Sequence, residues 1–408
     1  MSGARGFGAE LRNRREQRRL PLKQLATLTN YAATHIAAIE RGERHPPQDL
    51  AASLDAVLQA DGALLALAVT EALQRRLDTA AHESTALARL AREEPVSGLS
   101  RDRLARELAS IAQNYVHQPP IPLLNDLIRV RDRIQQSLQL GPRPERARDL
   151  YLLGAVAVQL LGEITDDLAG NSAAALQHVA AAQSLAKDAG HPGLEAWIAG
   201  TRALIVEWSP EPHHALEILE HATRLSPPGD HRIRLYALQA RCAARVGDAD
   251  LAHTAADNAV RAAEETAGVV DEVNAFGGAL TFPLPKLSSY VGSAMRRIGD
   301  HRRAEQWALE AITGYATGPA DQRSYGDEAL ARIDVGLARI AGGDIDGADD
   351  ILTPVLELPP EQRICPIMEG MRTVTAALQI HPHADAPVAK NLAETITAYA
   401  ARQSLVPR

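Results

Sequence analysis

The segment from Leu25 to Gly42 constrains this chain more than any other. Leu25-Ala26-Thr27-Leu28-Thr29-Asn30-Tyr31 leads into Ile36-Ala37-Ala38-Ile39-Glu40-Arg41-Gly42, a pattern that predicts two short helices joined by a tight turn. Ala26 is small, so the helices approach closely. Asn30 falls four residues later, where the turn needs a left-handed backbone, and Asn tolerates that conformation best among residues with a side chain. Leu22, Leu25, Ile36 and Ile39 supply the apolar contacts that fix the crossing angle, as a helix-turn-helix requires. The pattern points to double-stranded DNA as a partner.

Charge along the chain agrees with that reading. The whole sequence of 408 residues has a formal net charge of −8. Residues 1–45, however, hold nine Arg or Lys against four Glu, which leaves 34 basic and 47 acidic side chains for the rest. A small basic head on a larger acidic body has this distribution. The length calls for two or more domains. A hydrophobic fraction of 46% with aromatics at only 3% favours packed helices over sheets. Cys242 and Cys365 are far apart, without metal-type spacing, and the start Met1-Ser2-Gly3-Ala4-Arg5-Gly6 lacks an apolar signal core. The expectation is a soluble cytoplasmic protein with no membrane contact and no cofactor.

Within the head, a first helix is predicted over about 8–18 with Phe7 and Leu11 inward, and a second starts near Pro21. The candidate recognition helix covers about 32–41 and ends at Gly42, and another follows Pro46-Pro47 over 48–58. Leu11-Arg12-x-x-Arg15, Leu25-Ala26 and Ile36-x-x-Ile39-Glu40-Arg41-Gly42, with a proline shortly after, resemble the phage-repressor and Cro type of helix-turn-helix, the XRE type. The resemblance covers roughly residues 7–58. It implies a buried structural ion pair between Arg15 and Glu40. It also places Ala32, Ala33, Thr34 and Ala38 where relatives present longer side chains to base edges. Alanine reaches only a thymine methyl and Thr34 makes one short contact. His35, Arg41, Arg44 and His45 are then expected at phosphates, and Arg5 in a minor groove from a flexible arm. Sequence preference would come largely from DNA shape.

The body is self-similar. Gly247-Asp248, Gly299-Asp300 and Gly343-Asp344 precede Ala252, Ala304 and Ala348, and looser copies surround Ala175 and Ala215. Small residues where antiparallel helices cross are the mark of a helical-hairpin repeat, and the pattern resembles the tetratricopeptide repeat. The alanines are 37 to 52 residues apart, longer than that family's ~34. The fold class expected is therefore all-α: a repressor-type helix-turn-helix bundle over 1–62, a helical linker and dimerisation element over 63–145, a tetratricopeptide-like α-solenoid over 146–380, and a capping helix within 381–408.

In that register the concave face carries Glu195 and Arg202, then Arg234, Arg241 and Arg245, then Lys286, Ser293, Arg296 and Arg297. Such a wall suits a ligand carboxylate or phosphate; equally, its arginines pair with Asp and Glu of neighbouring helices. The segment Asn274-Ala275-Phe276-Gly277-Gly278-Ala279-Leu280-Thr281-Phe282-Pro283 interrupts helical periodicity, either as one edge of a pocket or as a packed loop. Asp344-Ile345-Asp346-Gly347 has the look of a calcium loop without its spaced ligands. His213-His214 and His381-Pro382-His383 lack further ligands, so no metal site is expected. No phosphate loop or nucleophile elbow is present, and no catalytic residue is assigned.

The order of head, linker and repeat body resembles peptide-pheromone-responsive regulators of the RRNPP type, and more closely the actinobacterial XRE–tetratricopeptide regulators. Thirty-nine arginines against four lysines fit a GC-rich genome. The resemblance implies a homodimeric transcription regulator whose body senses a peptide or small acidic ligand. The alternative is an adaptor whose repeat domain binds a protein partner, with the head docking it to DNA or vestigial.

Overall fold

The computed structural model describes residues 6–90, 101–170, 172–209, 211–266, 271–382 and 384–401. Among them, regular structure consists of nineteen α-helices and four short 3-10 turns. The chain divides into two compact units, one up to Thr79 and one from Ala80.

The first unit holds α1 (Phe7–Gln17), α2 (Leu22–Thr29), α3 (Ala33–Glu40), α4 (Gln48–Val57) and the first part of α5 (Ala63–Leu90). Phe7, Leu11, Leu25, Ile36, Ile39, Leu50, Leu54 and Leu58 form its core, with Leu64 and Ala68 of α5 among them. The start of α5, assigned to a linker by its sequence position, is thus a structural part of the head. Asp55 fixes it there: its carboxylate accepts from the backbone N–H of Gly62 and Leu64, both at 2.8 Å. Asn30 ends α2 in the left-handed region at φ 57° and ψ 35°. Gly8 lets α1 lie against the end of α3, where a Cβ would stand 2.3 Å from the Ile39 carbonyl oxygen.

The second unit runs α6 (Arg101–Tyr115), α7 (Pro120–Gln139), α8 (Pro144–Ala169), α9 (Ser172–Ala189), α10 (Pro192–Val206), α11 (His213–Leu225) and α12 (Asp230–Val246). It continues with α13 (Ala249–Glu265), α14 (Leu284–Arg297), α15 (His301–Thr317), α16 (Tyr325–Gly342), α17 (Ile345–Leu356), α18 (Cys365–Ile380) and α19 (Pro387–Ala401). Successive helices pair as hairpins. The even-numbered helices from α8 to α18 form an inner row in which each touches the next. α18 also touches α8, and the Tyr325 N–H donates to the Val116 carbonyl at 3.1 Å, so the row curls back toward its own start. Helices α6 and α7, read from sequence as a spacer, are packed elements of this unit. Leu104, Leu108, Leu124, Leu127 and Ile134 are fully buried. At the other end Leu392, Ile396 and Tyr399 bury α19 in a core shared with α16 to α18.

The recurring Gly-Asp turns do two jobs at once. Gly247, Gly299 and Gly343 adopt φ of 84°, 83° and 86° after α12, α14 and α16, a conformation that favours glycine. The next residue caps the following helix: Asp248, Asp300 and Asp344 accept from the N–H of Leu251, Arg303 and Gly347 at 2.9, 3.1 and 3.0 Å. Ala252, Ala304 and Ala348 are then completely buried at the crossings. The calcium-like run at Asp344 is this turn. The segment 274–283 is a packed loop that also lends Ala279 to the lining of a cavity: a Cβ on Gly278 would stand 2.0 Å from the Ala112 carbonyl oxygen of α6, and Phe282 meets Tyr290 edge-on at 5.2 Å. Among the described residues no helix is long and apolar enough to cross a membrane, and no group of His, Cys, Asp and Glu is placed to hold a metal ion.

Removing a cap leaves an N–H of the first turn without its partner, typically costing about 1 kcal/mol. Asp300→Ala is expected to lower the unfolding free energy of the body, measured in denaturant, by that amount, with Asp300→Asn losing little because its side-chain oxygen can accept the same bond.

Candidate functional site

The head presents the N-terminus of α3 to solvent. Ala32 and Thr34 are exposed and Ala33 and His35 half-buried, whereas Ala38 is only 9% exposed and belongs to the inner side of the helix. Ala38 therefore offers no free methyl to a groove, because its place on the helix turns it toward the head's interior. Arg15 and Glu40 lock α1 to the end of α3. The Arg15 Nε and Nη2 donate to both Glu40 oxygens at 2.6 and 2.9 Å, and the two side chains are 13% and 6% exposed. This bidentate, largely buried pair fixes the helix that any groove contact would use.

The cations on the exposed side are not equivalent. Arg41 is chelated by Glu43 at 2.6 and 2.7 Å, which cancels much of its attraction for a phosphate. His45 Nδ1 stands 3.7 Å from Glu71. Arg44 has no carboxylate partner among the described residues and lies 3.4 Å from His35 Nδ1. Lys23 and Gln24, exposed in the first turn of α2, are candidates that the reading by motif passed over. So is Tyr31, whose hydroxyl donates to Asp49 at 2.7 Å and whose ring stacks on His35. Arg5 lies outside the described residues.

In the second unit the inner helices enclose a cavity of about 220 Å³. Arg234, Arg241, Lys286, Ser293, Arg296 and Arg297 line it; Arg202 and Glu195 do not, facing instead a separate groove with His214 and His221. Arg245 stacks at 4.4 Å over Trp208, a half-exposed residue of the cavity wall. Every cation lining the cavity is engaged by a carboxylate of a neighbouring inner element. Arg234 reaches Glu163 at 3.1 Å, Lys286 reaches Asp327 at 3.6 Å and Arg296 reaches Asp334 at 2.5 Å. Arg241 and Arg297 share Glu207, which is fully buried. Burial pushes the Glu207 carboxyl up, but the arginines outweigh it and hold it below its usual range. The wall is therefore not a free basic surface, because each of these cations already has an internal carboxylate partner.

Sequence reasoning missed the acidic half of the cavity. Glu163, Asp166 and Asp167 project from the last two turns of α8, and Asp327 and Asp334 from α16. No cationic side chain among the described residues pairs with Asp166 or Asp167. The Tyr115 hydroxyl donates to Asp167 Oδ2 at 2.8 Å. Burial pushes Asp166 up to about 6, with help from Glu163. It pushes Asp167 up to about 7; the Tyr115 bond opposes this, while Asp166, Glu163 and Asp327 add to it. Tyr325 and Cys365 face the same cluster and are raised by burial and by its charge. The signal was present: two adjacent aspartates close a helix that is otherwise apolar and buried over most of its length.

An Asp167 carboxyl raised by folding binds its proton more tightly in the folded state than in the unfolded one. That contribution to stability is complete below about pH 4 and is lost as pH rises through about 7. Asp167→Asn is expected to match the parent protein at acid pH and to exceed its thermal midpoint increasingly up to pH 8. Parallel unfolding scans across that range measure the difference; a constant offset would contradict the assignment.

Comparison with protein families places a helix-turn-helix domain at residues 7–68, a span that includes the start of α5 as the packing does. No curated protein matches the chain. The head is a helix-turn-helix DNA-binding domain.

Proposed function

We propose that this chain is a transcription regulator that binds duplex DNA through α2 and α3 and senses a small ligand in the cavity of its body. The helix-turn-helix match, with α3 exposed at its start and anchored at its end by Arg15 and Glu40, carries the reading. The repressor type of head is supported by that ion pair, and the tetratricopeptide-like body by the Gly-Asp turns. A single small head contacts few base pairs, so we infer a homodimer reading half-sites about one helical turn, ~34–36 Å, apart. A ligand that favours one arrangement of the dimer would shift DNA affinity by that difference.

Direct base reading is limited to Ala32, Ala33 and Thr34, so affinity rests on phosphates and is steeply salt-dependent. Among the expected phosphate contacts, Arg44 outranks Arg41 because Glu43 already occupies the latter. The adaptor reading draws on the same poverty of base contacts: the head would then dock without choosing a sequence.

Gel-shift assays with fragments from the region upstream of the coding sequence test both. The regulator is expected to retard a subset of fragments, with affinity falling steeply as salt rises. Arg44→Ala should weaken all fragments alike, by several-fold, and Arg41→Ala less. Failure to retard any fragment at low salt would favour the adaptor.

A further inference from the structure

We infer that the cavity takes a small organic amine, with its ammonium seated against Asp166 and Asp167. The inference rests on the reading of the body as a ligand-binding unit and names the ligand's chemistry. It reverses the sign of the ligand expected from the arginines alone.

The first argument is which charges are spoken for. Arg234, Arg241, Lys286, Arg296 and Arg297 are each held by Glu163, Glu207, Asp327 or Asp334. An anion entering the cavity must compete with those carboxylates. Among the described residues Asp166 and Asp167 have no cation, and Asp167 keeps its Oδ1 open because Tyr115 occupies only Oδ2. Adjacent carboxylates confined with Glu163 and Asp327 repel one another, and an ammonium relieves that repulsion while donating up to three hydrogen bonds.

A second observation points to an occupant independently. Ser289 of α14 lines the cavity and is 5% exposed. Its hydroxyl makes no hydrogen bond to the described residues and opens onto that space, where a polar ligand atom can bond to it. The rest of the wall suits a short hydrocarbon: Leu204, Ile205, Leu330, Ile333, Leu337 and Ile364 face the same space. At about 220 Å³ the cavity is smaller than typical ligand pockets, which begin at ~300 Å³. It therefore fits a compact amine better than an extended peptide.

Calorimetric titration and thermal-shift assays on the full chain test this with pentylamine, cadaverine and pentanoate as probes. Both amines are expected to bind and raise the unfolding temperature, and pentanoate to do neither. The double variant Asp166→Asn/Asp167→Asn should weaken the amines at least tenfold. Its ligand-free unfolding temperature at pH 8 should equal or exceed the parent's, which shows that it folds. Ser289→Ala should weaken binding less. Binding by pentanoate alone, undiminished amine binding to the double variant, or no binding by either amine would each overturn the inference. The affinity for a labelled duplex, measured with and without bound pentylamine, tests the sensing reading separately. Unchanged DNA affinity would end that reading and leave the amine site standing.

Discussion

The inner wall of the body depends on ion pairs that run from one inner helix to the next. Arg234 of α12 reaches back to Glu163 of α8, Arg241 and Arg297 close on Glu207 between them, and Lys286 and Arg296 of α14 reach forward to Asp327 and Asp334 of α16. Charges removed from water are tolerable only when paired and hydrogen-bonded, and stranding one of them typically costs ~3–5 kcal/mol. Aromatic rings complete several of these pairs. Arg234 lies over Trp197 at 4.5 Å, Arg241 over Tyr290 at 4.7 Å, and Arg297 over Trp208 at 5.0 Å. The pairing holds the wall in shape and fixes which of its charges remain uncompensated.

That division separates what was legible in the sequence from what was not. Local rules were enough for the head: Asn30 at its left-handed turn, Gly42 after α3 and the apolar set Leu25, Ile36 and Ile39 are decisions made within a few residues. The Gly-Asp turns were legible for the same reason, since one glycine ends a helix and the next residue caps its successor. Alanine spacing then revealed hairpins even where the repeat length drifted.

The cavity was only half legible. Arginines stand out in an acidic body, but their partners come from helices ~30–90 positions away, and no local pattern announces a pair that forms only when the inner row stacks. Glu207 illustrates this: it follows α10 directly and meets arginines on α12 and α14. Arg202, in register on paper, lines a separate groove instead. The same long-range packing drew α6 and α7 out of the linker expected for them and gave α5 a place in the head's core.

The proposed function draws on two units in one chain: a helix-turn-helix head whose α3 is anchored by Arg15 and Glu40 and presents only short side chains at its start, and a body with a confined, partly uncompensated cavity. The most direct test of the central claim is selection of duplexes from a random-sequence pool by the full chain at low salt. The account predicts enrichment of a loosely constrained motif with paired half-sites one helical turn apart, in which flexible or narrow-groove steps matter more than single base identities. A pool that emerges without enrichment, from a protein that retains no duplex above background, would contradict it.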